Sequence, residues 1–153
     1  MSTSYHHHRV FLNIASQMAS LSHCVSHKVG AVIVKNNRII STGINGTPSG
    51  VTNCDEIFDS VFDRSQHHKF SEKYEIHAEM NAIINCAREG ISCNGANIYC
   101  TLMPCQQCIK NLTMSGIKNI YYKDVYDIYT QDDIAAIFEF CKRLNINIEQ
   151  IKD

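Results

Sequence analysis

From residue 96 to residue 151 the chain reads as strand, helix, strand, helix, strand, and this alternation restricts its fold more than any other feature. "ANIYCT" (96–101) is a short strand pattern, and Pro104 follows where a helix can begin, because the first helical turn has no use for its missing N–H. That helix is expected to reach about Gly116. "KNIYYK" reads as the next strand, "TQDDIAAIFEFCKRL" as a helix and "INIEQI" as a last strand. Strands separated by helices pair in parallel and carry those helices on their faces. Upstream, "VGAVIVKNNRIISTGIN" holds two apolar runs, 29–34 and 38–44, joined by Lys35-Asn36-Asn37 in the manner of a β-hairpin. Val10, Ile14, Met18 and Leu21 recur at helical spacing and predict a first amphipathic helix over 9–23. The expected fold is α/β: a three-layer α/β/α sandwich on a five-stranded mixed sheet, its hairpin antiparallel and the remainder parallel.

The 153 residues suit one domain, 1–153, with a polar, irregular insertion at about 50–74 after the punctuated loop "GINGTPSG". A net charge of −1 provides no basic field, which argues against a nucleic-acid polymer as partner. No stretch approaches the roughly 18 apolar residues of a membrane span. The start, polar and then amphipathic, lacks a signal-peptide pattern, so a cytoplasmic location is expected. The eight cysteines are then free thiols available to metal rather than a disulfide framework. The triplet His6, His7 and His8 reads as a solvated terminus.

Cys105 and Cys108 share one face of a helix's first turn, where the partial positive charge of the helix end favours thiolates. Two thiolates are half of a tetrahedral zinc site, although the same spacing also serves redox pairs. "YEIHAEMNAIINCAREG" shifts the balance. His77-Ala78-Glu79 followed by Pro104-Cys105-Gln106-Gln107-Cys108 is the H-x-E…P-C-x-x-C signature of zinc-dependent nucleobase deaminases. Both halves open predicted helices, and two facing helix starts would close a His77/Cys105/Cys108 triangle with one coordination position open. Glu79, two residues from His77 and pointing elsewhere, is then free to move protons as a general acid/base.

These residues resemble the cytidine/deoxycytidylate deaminase superfamily, and most closely its bacterial and viral deoxycytidylate (dCMP) deaminases. "KVGAVIVKNNRIISTGINGTPSG", "IHAEMNAI", "GANIYCTLMPCQQCIK" and "SGIKNIYY" carry the resemblance along nearly the whole chain. It implies zinc-dependent hydrolysis of dCMP to dUMP and ammonia, with His77, Cys105 and Cys108 as zinc ligands and Glu79 as proton shuttle. Asn45, Ala78, Thr101 and Tyr126 match positions at the substrate. Arg88 and Gly46 match regulatory or subunit-contact positions, in a family often hexameric, activated by dCTP and inhibited by dTTP. Asn45 also suits a turn, and Arg88 a helix C-terminus. Some phage relatives hold a second, structural zinc. Here the matching ligands are Cys24, Cys54 and His67, with His68 or Asp63 as the fourth. Deamination of dCTP or of a 5-modified dCMP stays open as an alternative. A tRNA adenosine deaminase is disfavoured by the 32 positions from Asn45 to His77 (77 − 45), and a silent zinc-bearing regulator by the retained Glu79.

Overall fold

The computed structural model describes residues 4–153. A helix α1 (Tyr5–Ala19), capped by Ser4 accepting from the His7 N–H, precedes the hairpin strands β1 (Gly30–Lys35) and β2 (Arg38–Ile44). Asn36 and Asn37 turn the hairpin with φ of 53° and 59°, the left-handed pair a two-residue type I′ turn needs. Two helices follow, α2 (Cys54–Ile57) and α3 (Arg64–Tyr74), then α4 (Ala78–Glu89), β3 (Asn97–Leu102), α5 (Gln106–Met114), β4 (Asn119–Asp124), α6 (Gln131–Arg143) and β5 (Asn147–Gln150).

The five strands run in the order β2-β1-β3-β4-β5. β1 pairs antiparallel with β2 and β3, while β3, β4 and β5 are mutually parallel, as the strand-helix alternation dictates. Period-two alternation divides the core between the sheet's faces. Val32, Val34, Tyr99 and Tyr121 pack under α1, whereas Ala31, Ile33, Ile98, Cys100 and Ile120 pack under α4, α5 and α6. The fold is therefore a three-layer α/β/α arrangement on a mixed sheet. Cys86, Cys93, Cys100 and Cys141 are small apolar members of the second core, as expected.

Two glycines set how closely the outer layers approach. A Cβ on Gly43 would lie 2.2 Å from Ala78 O and 2.6 Å from Ala82 N, inside the first turn of α4. A Cβ on Gly30 would meet α1 in the same way, 2.0 Å from Ala15 O. Helix backbone thus rests directly on strand backbone at both points, with Ala78, Ala82 and Ala15 providing the matching small surface.

The structure departs from the sequence-based expectations of the fold in four places. The first helix covers Tyr5–Ala19 rather than 9–23 and buries Phe11, Leu12 and Ala15, leaving Val10 and Leu21 exposed. The region 50–74 is largely helical, because Asn53 and Glu56 form a capping box for α2 and Asp63 caps α3 by accepting from Gln66 N at 2.8 Å. Its few apolar residues left no helical period to read. The helix after Pro104 begins at Gln106 with Cys105 as its N-cap. The histidine triplet is not a solvated tail: it lies in α1, and His8 is buried, its Nδ1 2.8 Å from the Tyr99 hydroxyl and its ring tilted against that of Tyr121 with centroids 4.1 Å apart.

Candidate metal centres and active site

His77 and Cys105 occupy equivalent places, each the N-cap of a helix that packs against the same sheet face. An N-cap residue has extended backbone, so its side chain is free to turn across the helix end. The two helices pack against each other, and Cys108 lies one turn into α5. His77 Nδ1 consequently sits 3.2 Å from Cys108 Sγ and 3.8 Å from Cys105 Sγ. All three donor atoms lie within 4.8 Å of one another.

The donor chemistry asks for a cation. Hydrogen bonding from Cys108, and then from His77, holds the Cys105 thiol well below its ordinary range. The same Cys105 neighbour, together with burial, pushes the Cys108 thiol strongly up. The protein alone therefore supports one thiolate here, and a bound divalent cation is what would let both ionise. Imidazole and two thiolates, with one tetrahedral position left over, suit zinc. The hydrogen bond that His77 donates to Cys105, assisted by the Glu79 charge, raises the His77 pKa against the opposing effect of burial.

Glu79 is 4 % exposed, on the first turn of α4. Burial pushes its carboxyl up, partly offset by the Cys108 thiol and His77 beside it. A carboxyl held up in this way is suited to both taking and giving a proton. Above these residues opens a cavity of about 380 Å³ whose wall includes His77, Ala78, Glu79, Cys105, Tyr126 and Asn45.

The expected substrate residues fare unequally. Ala78 and Tyr126 line the cavity, and the Tyr126 ring packs 4.3 Å from that of His27. Asn45 also lines it, but its amide is committed to the protein: Oδ1 accepts from Val29 N at 2.9 Å and Ser22 Oγ at 2.7 Å, and Nδ2 donates to His27 O at 2.7 Å. Thr101 does not reach the cavity; its hydroxyl accepts from Gly30 N at 3.1 Å and ties β1 to β3, and Leu102, Met103 and Pro104 line the wall instead. Arg88 is exposed in the last turn of α4, about 15 Å along the helix from Ala78 at 1.5 Å per residue. Gly46 makes an isolated bridge to Ile76.

A second donor cluster consists of Cys24, Cys54, His67 and Glu75. Cys24 Sγ lies 3.6 Å from His67 Nε2 and 4.0 Å from Glu75 Oε1, and His67 Nε2 lies 3.7 Å from Glu75 Oε1. The expected fourth partner differs from either sequence candidate. His68 faces solvent 3.9 Å from Glu72, and Asp63 is spent on capping α3. Glu75 takes the place instead, its side chain 2 % exposed and its Oε2 buried without a hydrogen-bond partner. Burial raises both thiol pKa values, that of Cys54 to about 11, and lowers that of His67, so burial favours the neutral forms of the two thiols and the imidazole beside the unpartnered Glu75 Oε2. Such an orphaned atom is costly unless something pairs with it, and two thiols, an imidazole and a carboxylate suit zinc. Glu75 was legible in principle: two residues before His77 on extended chain, it shares that residue's side.

The sequence profile described as "Cytidine and deoxycytidylate deaminase zinc-binding region" matches residues 5–124. The deoxycytidylate deaminase of Enterobacteria phage T2 is 41% identical, the match covering 76% of this chain and 79% of the relative. That of Enterobacteria phage T4 is 40% identical, covering 76% and 77%. The crystal structure of dCMP deaminase from the cyanophage S-TIM5 in complex with dCMP and dUMP superposes with a TM-score of 0.78 at 30% identity, covering 97% of this chain and 99% of that one. The spacing of His77, Glu79, Cys105 and Cys108, their convergence at two helix starts and the reach of the likeness across both chains have one reading: this chain belongs to the cytidine and deoxycytidylate deaminase family.

Proposed function

We propose that the chain is a zinc-dependent hydrolase converting dCMP and water to dUMP and ammonia, with His77, Cys105 and Cys108 as the zinc ligands and Glu79 as the catalytic acid/base. One observation carries the assignment: the buried Glu79 carboxyl stands beside a three-donor cluster at the base of a cavity of about 380 Å³, large enough for a nucleotide. The relatives point to the same substrate, being named deoxycytidylate deaminases, and the cyanophage structure holds dCMP and dUMP.

Zinc in such a site, when bound, supplies a Lewis acid that activates water near neutral pH. The chain's own groups do the rest. Glu79 accepts the proton released as water adds to C4 of the cytosine, gives a proton to N3, and assists departure of the C4 amino group as ammonia. The carbonyl at C4 is left behind, so the ring has gained one oxygen and lost one nitrogen. Ala78 at the head of α4 and the wall from Leu102 to Pro104 flank the base, and Tyr126 closes the side towards His27.

The quartet of Cys24, Cys54, His67 and Glu75 is proposed as a second, structural zinc site that fastens the segment 50–74 to the body. The need for a fastener is visible in α3, which packs its backbone against no other helix or strand among the described residues. A homohexamer regulated by dCTP and dTTP is the further reading implied by the family resemblance, supported by the exposed Ile84 and Arg88 on α4. A cytoplasmic location is in keeping with eight free cysteines and with the absence, among the described residues, of a helix long and apolar enough to cross a membrane.

Ammonia release from dCMP, dCTP, cytidine and deoxycytidine, each with and without added dCTP and dTTP, tests the assignment. dCMP is expected to give the highest kcat/KM. A preference for an unphosphorylated nucleoside or for dCTP would displace dCMP as the substrate.

A further inference from the structure

The two donor clusters meet on a single three-residue segment. Glu75 (φ −92°, ψ 139°) and His77 (φ −64°, ψ 151°) are both extended, and both line the same cavity. Residues two apart on extended chain point to one side and lie about 6.6 Å apart. Glu75 thus serves the quartet while His77 serves the catalytic triangle, with only Ile76 between them.

Ile76 is clipped in place. Its N–H donates to Gly46 O at 2.8 Å, and Gly46 N donates back to Ile76 O at 3.1 Å. Gly46 in turn follows Asn45, whose amide holds Ser22, His27 and Val29. The Ser22 hydroxyl accepts from Cys24 N at 3.2 Å, which returns the path to the quartet. The segment presenting His77 is therefore bounded by one quartet ligand, Glu75, and braced by the loop that carries another, Cys24.

We propose that the Glu75-Ile76-His77 segment, clipped to Gly46, couples the two metal centres, so that filling the buried quartet tightens the hold of His77, Cys105 and Cys108 on the catalytic zinc. The inference rests on the second-metal reading above. Presenting a ligand requires its backbone to be fixed, which costs conformational entropy. Glu75 and His77 share that backbone, so whichever centre fills first meets the cost for both, and the second ligand binds to a segment already ordered. Linkage makes the effect reciprocal in affinity. Gly46 is a positioning residue in this scheme: it lies outside the cavity lining and acts on His77 through the backbone of Ile76.

Couplings between sites typically fall between about 5-fold and 150-fold, and a shared three-residue segment places this one at roughly tenfold or more. Wild-type protein carrying zinc is titrated with a limiting chelator and the zinc count per chain is read by native mass spectrometry. Chains with two zincs or none are expected to dominate, with the one-zinc species depleted. In parallel, zinc affinity is measured by chelator competition in Cys54→Ser, which removes a quartet ligand outside the catalytic cavity and off the shared segment. Its remaining zinc is expected to bind at least about tenfold more weakly than the catalytic zinc of the wild type. Gly46→Pro, which deletes one N–H of the clip and neither ligand set, is expected to keep two zincs per chain and to restore the one-zinc species. Accumulation of the one-zinc species in the wild type, or a catalytic affinity in Cys54→Ser within about twofold of wild type, would overturn the coupling while leaving the second metal in place. A wild-type chain that saturates at a single zinc would overturn the coupling and the second-metal reading together.

Discussion

Gly43→Ala should cripple the active site from the far side of the helix that carries it. The new Cβ would lie 2.2 Å from Ala78 O, where ordinary contact begins at 3.4 Å, so the first turn of α4 must retreat by about 1.2 Å (3.4 − 2.2). His77 and Glu79 flank Ala78, whereas Cys105 and Cys108 belong to α5 and do not move with them. The substitution therefore shears the donor triangle and displaces Glu79, the proposed proton shuttle, together. A misplacement of about 1 Å at a reacting centre costs on the order of a hundredfold in rate. Overpacking adds about 1–3 kcal/mol of instability, which in a chain of this size lowers Tm by roughly 2–4 °C per kcal/mol. Gly30→Ala is the control, since its Cβ makes an equal clash, 2.0 Å from Ala15 O, but against α1 on the opposite face. Both variants are expected to lose similar Tm by calorimetry. Only Gly43→Ala should lose kcat for dCMP by about a hundredfold, with Gly30→Ala within about threefold of wild type. Equal loss of kcat in both variants, or wild-type kcat in Gly43→Ala, would show that this backbone contact does not place the head of α4.

Three further outcomes follow from the same geometry. Glu75→Gln is expected to lower zinc content from two per chain towards one, whereas His68→Ala, removing an exposed side chain, leaves it at two; the reverse pattern in metal analysis would reinstate His68 as the ligand. Asn45→Ala breaks hydrogen bonds to Ser22, Val29 and His27 and should cost about 2–3 kcal/mol of stability, whereas a residue serving substrate alone would leave Tm unchanged. Burial holds the His8 pKa below its ordinary 6.5, so the folded state disfavours the proton that the unfolded chain accepts. Its contribution is present above about pH 6.5 and is lost as pH falls through and below that value, so His8→Phe should flatten the decline of Tm between about pH 7 and pH 5. A parallel decline in wild type and variant would remove His8 from that account.

The mixed sheet and the His77/Cys105/Cys108 donor cluster are legible because both rest on short-range signals. The Asn36-Asn37 turn, the alternation of strands and helices after residue 96, and the pairing of His77-x-Glu79 with Cys105-x-x-Cys108 are each written within a few residues. The misread features depend on contacts distant in sequence. His8 is buried by Tyr99 and Tyr121, about ninety and more positions away, and nothing in its own neighbourhood distinguishes it from His6 and His7. Spacing along a helix points from His67 to its neighbours His68 and Asp63, while Glu75 arrives from beyond the end of α3. Thr101 stands in the right strand, yet its hydroxyl is spent on Gly30 N, a partner that only the β1–β3 pairing reveals. Asn45, expected at the substrate, lines the cavity, while its amide is bonded to the loops around it, partners that only the fold brings together.

The central claim is that Glu79, beside zinc held by His77, Cys105 and Cys108, deaminates dCMP. It is tested most directly by measuring dUMP formed from dCMP in wild type and Glu79→Gln, with zinc content determined on the same samples. Rapid conversion is expected of the wild type, and Glu79→Gln is expected to keep the wild-type zinc content while turnover falls by about a hundredfold to ten-thousandfold. Wild-type protein that carries zinc yet forms no dUMP, or a Glu79→Gln variant that turns over dCMP at the wild-type rate, would contradict it.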